Sequence, residues 1–502
     1  MKKKLLIALL VVIGMTAIFS IISAVSRSKS RNALAEYKGK LRTRGEKLTF
    51  AELGLPASLE SNANLEEFVL LADRVTARSS FRSGVESRHF EAPGGLSSLW
   101  QGGNIRLAGS PAGSSNYIDW AALSADMEAS AELLTKLRAE LDHPPRHFGW
   151  DYTNPFASSS PKNPFVQKRR VAQSLVVDSF VALHEHRLPR AQTNLHALTQ
   201  LAQVHRDDWT LVSAMIRVAI SGIALDCTWQ ALQAEGWDDE SLRRLQRDWE
   251  EVDLIGGLEN GFAGERAFGQ QAFAKLRDAD AKGQDALMST FSAATIGGSS
   301  SSTGFRHLKE EVAQRAALIY WRGHIDEDEM LYLGDSQSRL ETIRRLRANA
   351  GAASLKLEFK AQSDALEKKL NEPLAKLRHL FSAIAIPNFS RAFEVAVQRE
   401  TERRMTITAI ALKRFQLQNG RYPAALSELV PQFVAVELVD PWSGKPCHYR
   451  LNADGTFTLY SVGENGRDDG GDPTPVKSTN APPDMWSGKD AVWPTPVFPG
   501  KS

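Results

Sequence analysis

Asn419-Gly420-Arg421-Tyr422-Pro423 reads as a turn, and the segments on either side of it can be assigned outward from it. Before it a helical pattern ends in Leu412-Lys413-Arg414-Phe415-Gln416-Leu417-Gln418, with Ile407, Ile410, Ala411 and Phe415 on one face. After it come Leu426 and Leu429, then Asp440-Pro441-Trp442. Asp440 is expected to close a turn ahead of Pro441, and Trp442 to fill a small core. Cys447, Tyr449 and Leu451 then alternate with polar residues, Asp454-Gly455 makes a tight turn, and Phe457 and Leu459 return on the apolar face. That pattern predicts a hairpin. An acidic, Gly-rich loop follows Tyr460.

The order of helix, Asn-Gly-Arg-Tyr-Pro turn, Asp-Pro-Trp, hairpin ending Leu459-Tyr460-Ser461-Val462-Gly463, and Asn-Gly and Asp clusters resembles the C-terminal half of the major pseudopilin of type II secretion systems. The likeness covers roughly residues 396 to 490. It implies a small α+β domain and a calcium site in the loop. Carried over residue by residue, Val462 would offer its carbonyl, Asn465 stands where the family has an Asp, and Asp472 takes the first place of an Asp pair whose second is Pro473. Asp468 and Asp469 are extra acids that would substitute for the missing one. Calcium takes about six to eight oxygens, which a folded-back acidic loop supplies. The competing reading is a solvated acidic turn that binds no ion.

The 502 residues, 42% of them hydrophobic, can bury a substantial core and suggest more than one domain. A net charge of +2, with basic and acidic side chains interspersed, argues against nucleic acid as a partner. Two cysteines, Cys227 and Cys447, exclude a disulfide scaffold and a cysteine zinc cluster. They would pair with each other only outside the cytoplasm; a free buried thiol is the ordinary state for Cys227 in its apolar run.

Lys2-Lys3-Lys4 precedes an uncharged apolar run from Leu5 to Val25. Its length covers about 30 Å as a helix, the thickness of a bilayer core, and exceeds the ~7 to 15 apolar residues of a secretory signal. Ala24-Val25-Ser26 keeps cleavage open as the alternative. A pilin precursor would carry a Gly-Phe-type processing site and a Glu at the start of its apolar helix, and neither is present. The expectation is a single-pass protein of the bacterial inner membrane, the bulk of the chain extracytoplasmic.

Residues 1–25 are thus expected as a transmembrane anchor, 26–115 as a stalk and loop-rich segment, 116–390 as a helical domain and 391–502 as the pseudopilin-like α+β domain. The fold class is mainly α. Apolar residues recur at helical spacing in Leu133, Leu134, Leu137 and Leu141, and again in Leu175, Val176, Phe180 and Leu183. Leu211 to Leu232 is apolar nearly all round, a helix buried on most sides. Ala182-Leu183 before Arg187-Leu188, and Ala231-Leu232 before Gly236-Trp237, look like two copies of a helix-turn-helix unit about 49 residues apart. They suggest an α-solenoid-like stack of helix pairs, with a plain bundle as the alternative. Ala294 to Gly304 is expected as a loop, and Leu355 to Leu370 as a long exposed helix.

The order of Phe148-Gly149-Trp150-Asp151-Tyr152, the Arg217-containing helix, Gly264-Glu265-Arg266-Ala267 and the tail also resembles a group of uncharacterised single-anchor bacterial membrane proteins. That likeness brings architecture and no activity. His184-Glu185-His186 is metal-like in composition, yet residues two apart on a helix diverge by about 200°, so a helix terminus is the simpler reading. Arg217 and Asp226 in the most apolar helix need partners, with Glu265 and Arg266 as candidates. No nucleophile elbow, P-loop, dinucleotide fingerprint or HExxH motif occurs. Helical stacks form extended concave surfaces. The expected function is an interaction or scaffold protein binding other cell-envelope proteins, its tail a calcium-stabilised docking module. The alternatives are an accessory component that engages pseudopilins in a type II secretion or pilus-like assembly, and an extracytoplasmic hydrolase with a site near Arg217, Asp226 and Glu265.

Overall fold

Apolar spacing of three and four residues becomes helix along most of the computed structural model, which describes residues 27–55, 63–78, 95–101, 105–106, 117–118, 120–147, 152, 165–280, 283, 286–287, 317–386, 389–476 and 484–497. The expected anchor at 1–25 and the expected loop at 294–304 lie outside the described residues. Within them the chain is mainly helical, with a few small sheets.

Residues 27–43 form α1. It is no free stalk: Leu34 and Leu41 are buried, Ser30 Oγ donates to Glu327 at 3.1 Å, and Lys38 pairs with Glu329. Both acids belong to α10, Ile325–Arg347. Just past α1, Glu46 pairs with Arg266 at 3.0 Å and with Arg344. Burial pushes the Glu46 carboxyl up, but the hydrogen bonds from Arg344 and Gln337 and the Arg266 charge outweigh it and hold the group at about 2.

The helices α2 (Ala63–Arg78), α3 (Trp120–Ala129) and α4 (Ala131–Leu141) lead into the expected pairs. α5 (Phe165–His184) and α6 (Leu188–Gln203) form the first, whereas α7 (Leu211–Leu232) and α8 (Asp239–Glu250) share a turn of the expected kind without packing as a pair. Each turn passes through a left-handed residue, His186 at φ 58° and Gly236 at φ 86°. α5 packs on α6 and α7, α6 on α7 and α8, and α7 on α9, Leu254–Asp278. Among the described helices α7 alone is long and apolar enough to cross a membrane, and most of it is buried by these neighbours.

Glycines set the packing of α9. A Cβ on Gly264 would lie 1.7 Å from Trp209 O, and one on Gly269 would lie 2.0 Å from Tyr332 Cε1. Side chains there would push α9 off α10 and off the segment that enters α7. α11, Ala352–Leu370, buries Ala352, Leu355 and Phe359, while its last three turns are mostly half-buried or exposed. The short helices α12 (Ala375–Arg378) and α13 (Leu380–Ala385) follow.

α14, Ser390–Asn419, ends where the opening turn begins, with Gly420 left-handed at φ 71° and its N–H on Gln416 O at 2.8 Å. It packs on α7, α8, α9 and α11. One hydrophobic cluster runs from Leu65 to Val462, so the packing does not break at residue 390. β1 (Gly95–Ser97) even pairs in parallel with β9 (Thr495–Val497), joining the loop-rich segment to the end of the tail.

β2 (Ile105–Arg106) pairs with β3 (Tyr117–Ile118), and β4 (Val439–Asp440) with β5 (Lys445–Pro446). The expected hairpin is β6 (His448–Leu451) against β7 (Phe457–Ser461), with Tyr449 opposite Leu459 and Gly455 at φ 82° in its turn; β8 (Ala491–Val492) adds a third strand. Leu451, expected on the apolar face, is exposed, because it stands beside the turn past the last buried position. Trp442 is fully buried, and its N–H closes the turn on Asp440 Oδ1 at 3.0 Å. Cys227 and Cys447 are both buried and both free thiols.

Candidate functional site

A side chain outside the expected ligand set holds the acidic loop of the tail. Asp490 is buried beneath it and accepts the backbone N–H groups of Asp469 at 3.1 Å, Gly471 at 2.7 Å and Asp472 at 3.2 Å. Burial pushes its carboxyl up, against three hydrogen bonds that favour the charged form. Asp440 does the same one strand away, accepting from Trp442 N, Ser461 Oγ at 2.7 Å and Val462 N at 3.2 Å.

The expected side-chain ligands Asn465, Asp468, Asp469 and Asp472 are hydrogen-bonded within the tail. Asp468 Oδ1 accepts from Tyr460 Oη at 3.0 Å and Gly470 N at 2.9 Å. Asp469 Oδ2 accepts from Asn465 Nδ2 at 3.2 Å, while Asn465 Oδ1 accepts from Arg467 N at 2.8 Å. Asp472 Oδ1 accepts from Thr474 N at 2.9 Å, and Lys489 Nζ lies 2.7 Å from Oδ2. The Lys489 hydrogen bond holds the Asp472 carboxyl well below the usual range. Val462 gives its N–H to Asp440. Among the described residues no three His, Cys, Asp or Glu side chains come together to hold an ion. Lys489 thus sits beside the carboxylate expected to bind calcium.

In the helical body the polar core lies where α6 ends. Arg217 Nε donates to Ala202 O at 3.0 Å and its Nη2 to Asp253 O at 3.3 Å; Lys168 Nζ donates to Val204 O at 2.8 Å. The final carbonyls of a helix have no partner within it, and at Ala202 and Val204 these buried basic side chains supply one. Burial lowers Arg217 to about 10, still charged at neutral pH, and takes Lys168 well below its ordinary value with the help of the Arg217 charge. His205, left-handed at φ 73°, gives Nδ1–H to Asp208 Oδ2 at 2.8 Å, and Ser213 Oγ reaches the same oxygen at 3.2 Å. Hydroxyl and imidazole thus meet on one carboxylate, an arrangement that does not place the imidazole to activate the hydroxyl.

The residues expected to share a hydrolytic site are separate. Asp226 is nine residues beyond Arg217, about 13 Å along the helix, beside Trp229, Glu402 and Trp493. Glu265 accepts Leu211 N at 3.3 Å, and Arg266 goes to Glu46. Neither is the partner of Arg217, because α9 turns them toward the start of α7 and toward α10. His184 ends α5 as expected, with Nδ1 on Trp100 O at 2.9 Å and its ring stacked 4.0 Å from Trp120.

A groove of about 620 Å³ opens between α6 and α8. Gln192, Thr193 and His196 line one wall and Arg244, Arg247 and Asp248 the other. His196 Nδ1 is 2.9 Å from Asp248 Oδ2 and its Nε2 is 3.6 Å from Asp142 Oδ1. The Asp248 hydrogen bond raises the His196 pKa against the opposing effect of burial. Arg244 and Arg247 line the groove, and with Arg243 they pair with a single acid, Glu240. Periodicity marks such exposed helix faces only as polar, so the groove had no separate signal in the sequence.

No protein-family model, curated protein or solved structure matches this chain. Its function is read from geometry.

Proposed function

We propose that the chain is a membrane-anchored extracytoplasmic interaction protein. In this reading residues 1–25 span the bacterial inner membrane, helices α5–α9 form a solenoid-like stack, and the α6/α8 groove receives an acidic segment of another cell-envelope protein. The observation that supports it is the groove itself. It has the size of a binding cleft, with Arg244, Arg247 and the protonatable His196 in its walls, His196 held by Asp248. A photo-crosslinker at Thr193 in cells is expected to capture one envelope protein, whereas the same group at exposed Lys360 captures none. Arg244→Glu with Arg247→Glu should abolish the Thr193 product. Capture unchanged by that charge reversal would sink the reading.

His196 gives the interaction a pH dependence. Its pKa is raised, so the positive charge it offers an acidic partner is present at low pH and lost as pH rises through that value. Affinity should fall over that window, and His196→Gln should flatten the fall.

The tail keeps a second proposal, the docking of pseudopilins, on the strength of the helix, turn and hairpin order that carries the resemblance. Calcium belongs to that proposal and would compete with Lys489 at Asp472.

A further inference from the structure

We propose that a second groove, between α1, α10 and α11, binds the headgroup of an anionic membrane phospholipid. The inference rests on the reading of residues 5–25 as a membrane span. Lys29 lies four residues past Val25, about 6 Å along a helix or about 14 Å fully extended. The headgroup layer on each side of a bilayer is roughly 5 to 8 Å deep. A groove entered at Lys29 therefore opens onto that layer.

The cavity has a volume of about 780 Å³. Ser30 and Ala33 line it from α1, and half-buried Met330, Leu331 and Leu366 give it an apolar wall. Exposed Lys29, Lys369 and Arg378 add three cations. Two acids also line it, and both are engaged: Asp335 is held by Arg339 at 2.6 and 3.2 Å, and Glu327 by Ser30 at 3.1 Å and Arg378 at 3.8 Å. Among the described residues Lys29 and Lys369 form no salt bridge.

His379 forms part of the groove lining without opening its Nδ1 to it. It is only 6% exposed, and its Nδ1 has no hydrogen-bond partner; Asp328 Oδ1, at 3.9 Å, is out of reach. Burial, then the Lys369 and Arg378 charges, lower the imidazole to about 4, so at neutral pH it is an uncharged hydrogen-bonding group under a positive rim. A phosphodiester fits the groove: one negative charge for the lysines and Arg378, and an acyl chain for the apolar wall.

The test uses the full chain in nanodiscs of phosphatidylcholine with and without phosphatidylglycerol. Phosphatidylglycerol is expected to raise the melting temperature by about 5 °C. The Lys29→Glu, Lys369→Glu double variant and Ala365→Trp, which fills the groove without changing charge, should lose that rise while melting normally in phosphatidylcholine. Equal melting in both lipids overturns the proposal, as does a full shift with inorganic phosphate alone, which would assign the site to a free anion. Carbonate extraction separates the two readings. Release of the chain from membranes overturns the span, whereas retention without a phosphatidylglycerol effect overturns the groove alone.

Discussion

The end of α6 and the acidic loop of the tail are both polar cores, and they are built with opposite charge. At α6, Arg217 and Lys168 donate to the carbonyls of Ala202, Asp253 and Val204. In the tail, Asp490 and Asp440 accept N–H groups from residues 469, 471 and 472 and from Trp442 and Val462. A helix ends with unsatisfied carbonyls, so the body recruits cations; a loop that curls over a strand turns its N–H groups inward, so the tail recruits carboxylates. The device recurs where α14 meets the body. Lys413 caps Leu232 O at the end of α7, and Arg403 donates to Trp249 O at 2.7 Å near the end of α8. The difference teaches that these buried charges serve backbone groups, and that a cluster of titratable residues is not by itself a catalytic centre.

The most direct way to break this comparison is Arg217→Leu. It orphans the buried Ala202 carbonyl and should cost roughly 2 kcal/mol in denaturant unfolding; a cost below about 0.5 kcal/mol would mean that the helix end needs no cation. Next is acid stability. Glu46 titrates at about 2 instead of its ordinary 4.5, so its stabilisation is present above 4.5 and lost as pH falls toward 2. That loss is on the order of 3 kcal/mol, and Glu46→Gln should remove this part of the slope in melting curves taken from pH 6 to 2.

Asp490→Asn should cost about 2 kcal/mol and act locally. Hydrogen exchange of the amides at 469, 471 and 472 should quicken while those of α7 stay protected; quickening in both would show that the tail and body unfold as one unit. The smallest effect is expected from Lys489→Ala, an exposed partner of Asp472, with a change in melting temperature of less than about 1 °C. Calcium and chelator should be equally silent in the unaltered chain. A rise of several degrees with calcium, larger still in Lys489→Ala, would instead favour the ion site implied by the pseudopilin resemblance.

Some of this was legible residue by residue. Gly420 marked the end of α14, Asp454-Gly455 the hairpin turn, and Asp440 with Trp442 a closed corner. The turns between α5 and α6 and between α7 and α8 were visible as two similar segments, and α5 packs on α6, but α8 packs on α6 and α14 rather than pairing with α7. Lys168 was not visible: it stands in Gln167-Lys168-Arg169-Arg170, which reads as a solvated face, yet it is fully buried. Nor was Asp490, which lies 18 residues beyond the loop it holds at Asp472. His196, Arg244 and Arg247 looked like any polar helix face until α8 was laid beside α6.

The sequence by itself determined the helices, their turns and the hairpin with its facing residues apart from Leu451, because periodicity and turn chemistry act over a few residues of chain. Only the tertiary structure decided which charge meets which backbone group, that α1 lies along α10, and where the grooves open. An orphan carbonyl or amide has no address until the elements are packed, and the side chain that reaches it can come from anywhere in the chain.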